Sequence, residues 1–167
     1  MIVAASALED ISDLRVSDLM SRHLLTVYEG WSIKRLAGFF VKHNLSAAPV
    51  VASDDELVGV VALSDVVKFE SKNHTEREMK RLVEFYCGPY GGDLSENDLK
   101  HLKEKAVEYC TVNSIMTPEV VSVDIGVSAL DACKIAVNIN VDNLFVTKDG
   151  KLVGVLSAMD FLRKIIN

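Results

Sequence analysis

The residues best suited to chemistry lie in Gly154-Val155-Leu156-Ser157-Ala158-Met159-Asp160, where an apolar strand-like run gives way to a helix start. Ser157 and Asp160 stand three residues apart, a spacing with two readings. In the first, the pair is a capping box: the hydroxyl caps the helix and the acid sits in its positive first turn. In the second, the carboxylate accepts two hydrogen bonds from a ribose cis-diol, and the hydroxyl and free backbone N–H groups receive phosphate oxygens. The motif alone leaves both readings open.

Little else in the chain offers chemistry. His23, His43, His74 and His101 show no metal-ligand spacing with one another or with the cysteines, so no metal site is expected. Cys87 and Cys110 fall at the ends of two expected helices and read as packing thiols, with a redox pair as the alternative; Cys133 sits on a core stripe. Trp31 and Tyr90 are single aromatics that more often cover a core than stack on a ligand. There is no nucleophile–base pair, no paired catalytic carboxylates and no glycine-rich dinucleotide loop. We expect no catalytic residues and no enzyme.

The elements that position Ser157 and Asp160 come from a duplication. Val16-Ser17-Asp18-Leu19-Met20 is echoed by Val112-Asn113-Ser114-Ile115-Met116, and at the same offset Val27 meets Val123, Ser32 meets Ser128, Asn44 meets Asn140 and Val50 meets Val146. The register then slips by one, so that Leu57-Val58-Gly59-Val60 answers Leu152-Val153-Gly154-Val155 and Asp65 answers Asp160. Such self-similarity fixes an architecture before any finer reading. Each copy reads as short helix, extended segment, helix, strand, strand, helix. Ser32 caps a helix with the stripe Ile33, Leu36, Ala37, Phe40 and Val41; Ser128 caps one with Ala129, Ala132, Cys133, Ala136 and Val137. The hairpins turn through Ser53-Asp54-Asp55-Glu56 and through Lys148-Asp149-Gly150-Lys151, where Asp-Gly signals a type I′ turn. The shorter second turn explains the slip.

The expected fold is α/β: two tandem βαββα repeats in a pseudo-twofold pair, with a helical hairpin inserted between them. The boundaries are 1–15 for an N-terminal lead-in, 16–70 for repeat 1, 71–111 for the insertion and 112–167 for repeat 2. Inside the insertion, Thr75-x-x-Glu78 and Ser95-x-x-Asp98 are helix starts, and Cys87-Gly88-Pro89 ends the first helix. A repeat of about 55 residues has a marginal core on its own, so the copies should bury each other's apolar faces.

Bulk properties narrow the function. A net charge of −6 without any Lys/Arg run argues against a nucleic-acid partner, but leaves room for a small anion held by local donors. No segment is long and apolar enough for a membrane span. Three widely spaced cysteines and no signal-peptide pattern fit a reducing cytoplasm.

The repeat plan, with Ser46-Ala47-Ala48-Pro49-Val50-Val51 before the first hairpin and Leu-Val-Gly-Val before each acid, resembles the CBS domain, named for cystathionine β-synthase. Two copies resemble a CBS pair over residues 16–70 and 112–166. The resemblance implies a regulatory module that binds an adenosine-containing ligand, such as AMP, ADP, ATP or S-adenosylmethionine, in clefts between the repeats, requires no cofactor, and forms a homodimer. With no effector domain attached, an unknown effector protein in trans would receive the signal; an empty scaffold for dimerisation or docking is the alternative. Carried over by position, one cleft would use Ser157 and Asp160 for phosphate and ribose, with Thr26, Leu45, Ser46 and Ala47 at the adenine. A second, weaker cleft would use Asp65 with Ser122, Val141, Asp142 and Asn143. It is expected to be weaker because Ala62 stands where the pattern has Ser or Thr, and because Asp142 places an acid where the first cleft has Ser46. Arg163, Lys68, Arg22 and His23 are candidate counterweights to phosphate charge, or plain surface charges.

Overall fold

The structure, a computed structural model, describes residues 11–71, 95–98, 100–101 and 110–166. Each repeat forms the expected series. Repeat 1 contains α1 (Val16–Leu19), β1 (Val27–Tyr28), α2 (Ile33–His43), β2 (Ala47–Val51), β3 (Leu57–Ala62) and α3 (Leu63–Ser71). Repeat 2 contains α4 (Val112–Ile115), β4 (Ser122–Asp124), α5 (Ala129–Ile139), β5 (Asn143–Lys148), β6 (Lys151–Ser157) and α6 (Ala158–Ile166). The strands make two three-stranded sheets, ordered β1-β2-β3 and β4-β5-β6. In the second, β4 runs parallel to β5 and β5 antiparallel to β6.

Local signals explain the element ends. The Ser32 and Ser128 hydroxyls accept from the backbone N–H of Arg35 and Asp131, at 3.2 and 3.1 Å. Both long helices stop at an asparagine in the left-handed region, Asn44 (φ 51°) and Asn140 (φ 55°), and the next N–H reaches back: Leu45 to Phe40 O and Val141 to Ala136 O, each at 3.0 Å. In the second hairpin Asp149 (φ 53°) and Gly150 (φ 79°) both take positive φ, as a type I′ turn demands.

The expected apolar stripes are narrower than their periodicity implies. Ile33, Leu36 and Phe40 are buried on α2, and Ala129 and Ala132 on α5, but Val41 and Val137 are 81 % and 72 % exposed. Each valine lies one residue past the last core position, on the shoulder of its helix, where i+8 spacing no longer points inward.

The chain divides into two compact units that do not coincide with the repeats. One comprises the residues up to Thr26, Val51–Val58 and those from Glu119 on; the other comprises Val27–Val50 and Gly59–Pro118. In the first unit, Ile11, Val16 and Met20 join Val123, Ala129, Leu144, Val146, Leu156 and Phe161 in one core. The lead-in and short helix that precede repeat 1 are therefore built into repeat 2. The swap is reciprocal, because α4, which opens repeat 2, belongs to the unit of β1 and α2: Val112 N–H donates to Trp31 O at 2.9 Å, matching Val16 N–H to Val127 O at 3.0 Å.

Glycines make room for this exchange. A Cβ on Gly154 would stand 2.5 Å from the Met20 sulfur, and one on Gly59 2.7 Å from the Met116 sulfur and 2.9 Å from Thr117 O. The residues after each methionine then bridge the same strand, Ser21 with Val155 and Thr117 with Val60. The Met of each five-residue motif thus packs on the Leu-Val-Gly-Val strand of the other repeat.

Of the insertion, residues 96–98 and 100–101 are helical, and Ser95 and Asp98 form the expected box: Ser95 N–H and Oγ donate to Asp98 Oδ2 at 3.0 and 2.6 Å, and Asp98 N–H donates to Ser95 Oγ at 3.2 Å. Those bonds hold the Asp98 carboxyl below its ordinary range, the Ser95 hydroxyl contributing most. The expected helix from Thr75 to Tyr86, with Cys87 and Tyr90, lies outside the described residues.

Candidate functional site

Ser157 ends β6 and Asp160 lies in the first turn of α6. Asp160 Oδ2 accepts from both Ser157 N–H (2.8 Å) and Ser157 Oγ (2.7 Å), and Ser157 Oγ accepts from Asp160 N–H at 3.3 Å. The other oxygen, Oδ1, faces Arg163 Nη1 at 3.6 Å. The Asp160 side chain is 16 % exposed while Arg163 is 71 % exposed, so a half-sheltered carboxylate carries a mobile cation at its open side. One oxygen is committed to the strand end. The other is held by a weak, solvated contact that a better donor can replace.

Two further predicted residues lie beside this pair in the same unit. Asn143 stands opposite Ser157 in the β5–β6 register, and Asp142 O accepts from Ala158 N–H at 2.9 Å. Val141, Asp142 and Asn143 are exposed, as is Ser122 at the start of β4, where it pairs in register with Phe145. Thr26 is half-buried, just ahead of β1. Among the described residues no three His, Cys, Asp or Glu side chains come together as a metal site.

The other unit repeats the arrangement with one group missing. Ala62 N–H donates to Asp65 Oδ2 at 2.8 Å, and Lys68 Nζ stands 4.0 Å from Asp65 Oδ1, matching Arg163. Leu63 N–H donates to Ser46 O at 2.8 Å, matching Ala158 and Asp142. Ser46 and Ala47 are exposed and Leu45 is half-buried, so Leu45-Ser46-Ala47 lies against the start of α3. Where Ser157 gives Asp160 a hydroxyl, Ala62 gives Asp65 only a backbone N–H. In both units the structure joins the segment ahead of the hairpin to the acid behind it.

Sequence reasoning passed over the glycine–methionine pairs. Their signal was present in the aligned copies, since Gly59 and Gly154, Met20 and Met116 occupy equivalent places. What it lacked was the knowledge that each Met packs on the other copy.

The CBS domain profile matches residues 16–72 and 112–167. The chain belongs to the CBS domain family. The match covers both repeats and leaves out the lead-in and the insertion. Among curated relatives, the Methanocaldococcus jannaschii protein MJ1426 is 29% identical over 160 residues, 90% of each chain. Among solved structures, this CBS pair is similar to CBSX2, determined in complex with AMP, with a TM-score of 0.63 at 22% identity over 92% of this chain and 96% of that one. It is also similar to the CBS domain pair of MJ0100, determined with 5′-methylthioadenosine and S-adenosyl-L-methionine, with a TM-score of 0.56 at 20% identity over 89% and 93%. At these identities the likeness is one of fold. Among the described residues, no helix is long and apolar enough to cross a membrane.

Proposed function

We propose that this CBS pair is a cytoplasmic regulatory sensor that binds an adenosine-containing ligand, AMP, ADP, ATP or S-adenosylmethionine, and signals as a homodimer to an effector protein in trans. One observation carries the reading: Asp160 keeps Oδ1 outward beside Arg163 while Ser157 anchors its other oxygen. A ribose cis-diol would take Oδ1, releasing Arg163 toward a phosphate, and the Ser157 hydroxyl would turn to a phosphate oxygen. Thr26, Leu45, Ser46 and Ala47 would grip the adenine, with an apolar slot for the ring and backbone groups for its edge. The adenosine ligands of CBSX2 and MJ0100 support the choice of ligand class.

A second site, formed by Asp65 with Ser122, Val141, Asp142 and Asn143, would bind more weakly. A lost hydrogen bond to a charged group costs about 1.5–3 kcal/mol, tenfold or more in affinity. Calorimetry should therefore resolve a tight and a weak site. Asp160→Ala should abolish the tight one, Asp65→Ala should spare it, and Ala62→Ser should strengthen the weak one about tenfold.

A scaffold without ligand is favoured by a different fact: Asp160 already satisfies Ser157 as a helix cap would. Thermal-shift measurements with AMP, ADP, ATP and S-adenosylmethionine separate the two. A rise with one of them, lost in Asp160→Ala, supports the sensor; no rise at millimolar ligand leaves the scaffold.

A further inference from the structure

One flank of α2 carries side chains that the repeat fold itself does not call for. Arg35, Phe39 and His43 recur every four residues and so share a flank, with Trp31 just ahead of the helix. They form a continuous ladder. The Arg35 guanidinium lies 4.1 Å from the Trp31 ring centre, Trp31 meets Phe39 edge-on at 5.4 Å, Phe39 meets His43 at 4.7 Å, and Tyr28 lies 6.1 Å from Trp31. Tyr28, Arg35 and His43 are exposed, and Trp31 and Phe39 are half-buried.

The second repeat serves as an internal control. At the equivalent places it has Asp124, Val127, Asp131, Ile135 and Ile139, and α5 folds to the same length with the same caps. Asp131 completes a capping box, its carboxylate accepting from Ser128 Oγ at 2.8 Å. Arg35 gives that interaction up and lies on Trp31 instead. Neither folding nor capping explains the ladder.

We propose that this flank is a docking surface for an acidic segment, bearing aliphatic or aromatic side chains, from a partner protein of another kind. The charge argues for it. The chain carries −6 overall, yet α2 holds Lys34, Arg35, Lys42 and His43 and no acid, and among the described residues no carboxylate pairs with Arg35 or Lys42. Screening limits what a short segment feels to roughly 8 Å, within this positive patch, whereas an extended polyanion would meet the acidic remainder. A second copy seated on the same flank by twofold symmetry would set like charges against each other. Tyr, Trp and Arg are also the residues that most often anchor protein partners. The proposal deepens the reading above only in naming the surface that an effector in trans would use.

Trp31 is the only tryptophan, so its fluorescence reports on the flank directly. The full-length protein is presented with an array of short peptides in which Asp and Glu alternate with Leu and Phe, beside the same peptides with Lys replacing the acids. We expect the acidic set alone to be retained, with a saturable change in Trp31 emission that weakens with salt. Arg35→Glu should weaken binding about fivefold or more without altering the thermal shift given by AMP, ADP, ATP or S-adenosylmethionine. Should Arg35→Glu fail to fold, Lys42→Glu, equally exposed, reads the same effect. Retention of neither set or of the Lys set, or indifference to both substitutions, overturns the proposal. So does an equal emission change on concentrating the protein alone, or with phosphatidylglycerol vesicles. Loss of peptide binding with the adenosine thermal shift intact would sink this surface and leave the sensor standing.

Discussion

At the scale of single residues, the Asp160 carboxylate serves two demands with two oxygens. Oδ2 satisfies a strand-end N–H and a hydroxyl, and Oδ1 stays at the surface with Arg163. Ser157→Ala should separate these roles. It removes the Oγ bonds but keeps the backbone one, as Ala62 already does in the twin. We expect a loss of about 1 kcal/mol in chemical denaturation, the usual worth of a cap, together with at least tenfold weaker ligand binding. Asp131 shows the acid effect alone. The Ser128 hydroxyl first, and Lys134 second, hold its carboxyl below the ordinary 3.8. A depressed carboxylate stabilises the fold above its unfolded-state pKa and ceases to do so as pH falls through the folded value. Asp131→Asn should therefore lower the melting temperature at neutral pH, and the gap from the parent should close in acid below pH 3.8. A pH-independent gap would show that the carboxylate's charge is not the cause.

At the scale of elements, the glycines on β3 and β6 are the points of least tolerance. Gly154→Ala drives a methyl into the Met20 sulfur, a flexible obstacle, with Ser21 O next at 3.1 Å. Gly59→Ala meets Thr117 O at 2.9 Å, which belongs to a bridged backbone and cannot swing aside. Both should destabilise by about 1–3 kcal/mol, Gly59→Ala more, and Met20→Ala should recover part of the loss in Gly154→Ala but not in Gly59→Ala. Equilibrium unfolding of the double variants checks this. The elements themselves were readable in the chain. Ser32 and Ser128 act within three residues, Asp149-Gly150 within two, and local signals of that kind survive without tertiary knowledge. Val41 and Val137 were misread, because periodicity fixes the direction of an apolar face and leaves its width to whatever packs there.

At the scale of the whole molecule, the duplication announced two similar halves and concealed how they are built. Copies of Val-x-x-x-Met appear to any reader as the openings of their own repeats. Only contacts far apart in sequence show Met20 on the Gly154 strand and Met116 on the Gly59 strand. The acid pair was legible because Ser157 and Asp160 are neighbours; the partition of ligand contacts among Thr26, Leu45, Asp142 and the rest was not, because it depends on such distant placement. Fragments cut at the repeat boundaries test the exchange. Residues 112–167 alone would lack Ile11, Val16 and Met20 from their core. We expect neither this fragment nor residues 1–70 to melt cooperatively, and each to fail in near-ultraviolet circular dichroism where the full chain succeeds.

The exchange of opening segments also sets a timetable for synthesis. As the chain leaves the ribosome, Val27–Pro118 emerges with β1, α2, β3, α3 and α4 all available to it. The earliest residues, Ile11 to Met20, have no partner until Leu144, Leu156 and Phe161 have been made. The first part of the protein to be born is thus among the last to fold, an apolar strip that must stay soluble while nearly everything after it is translated.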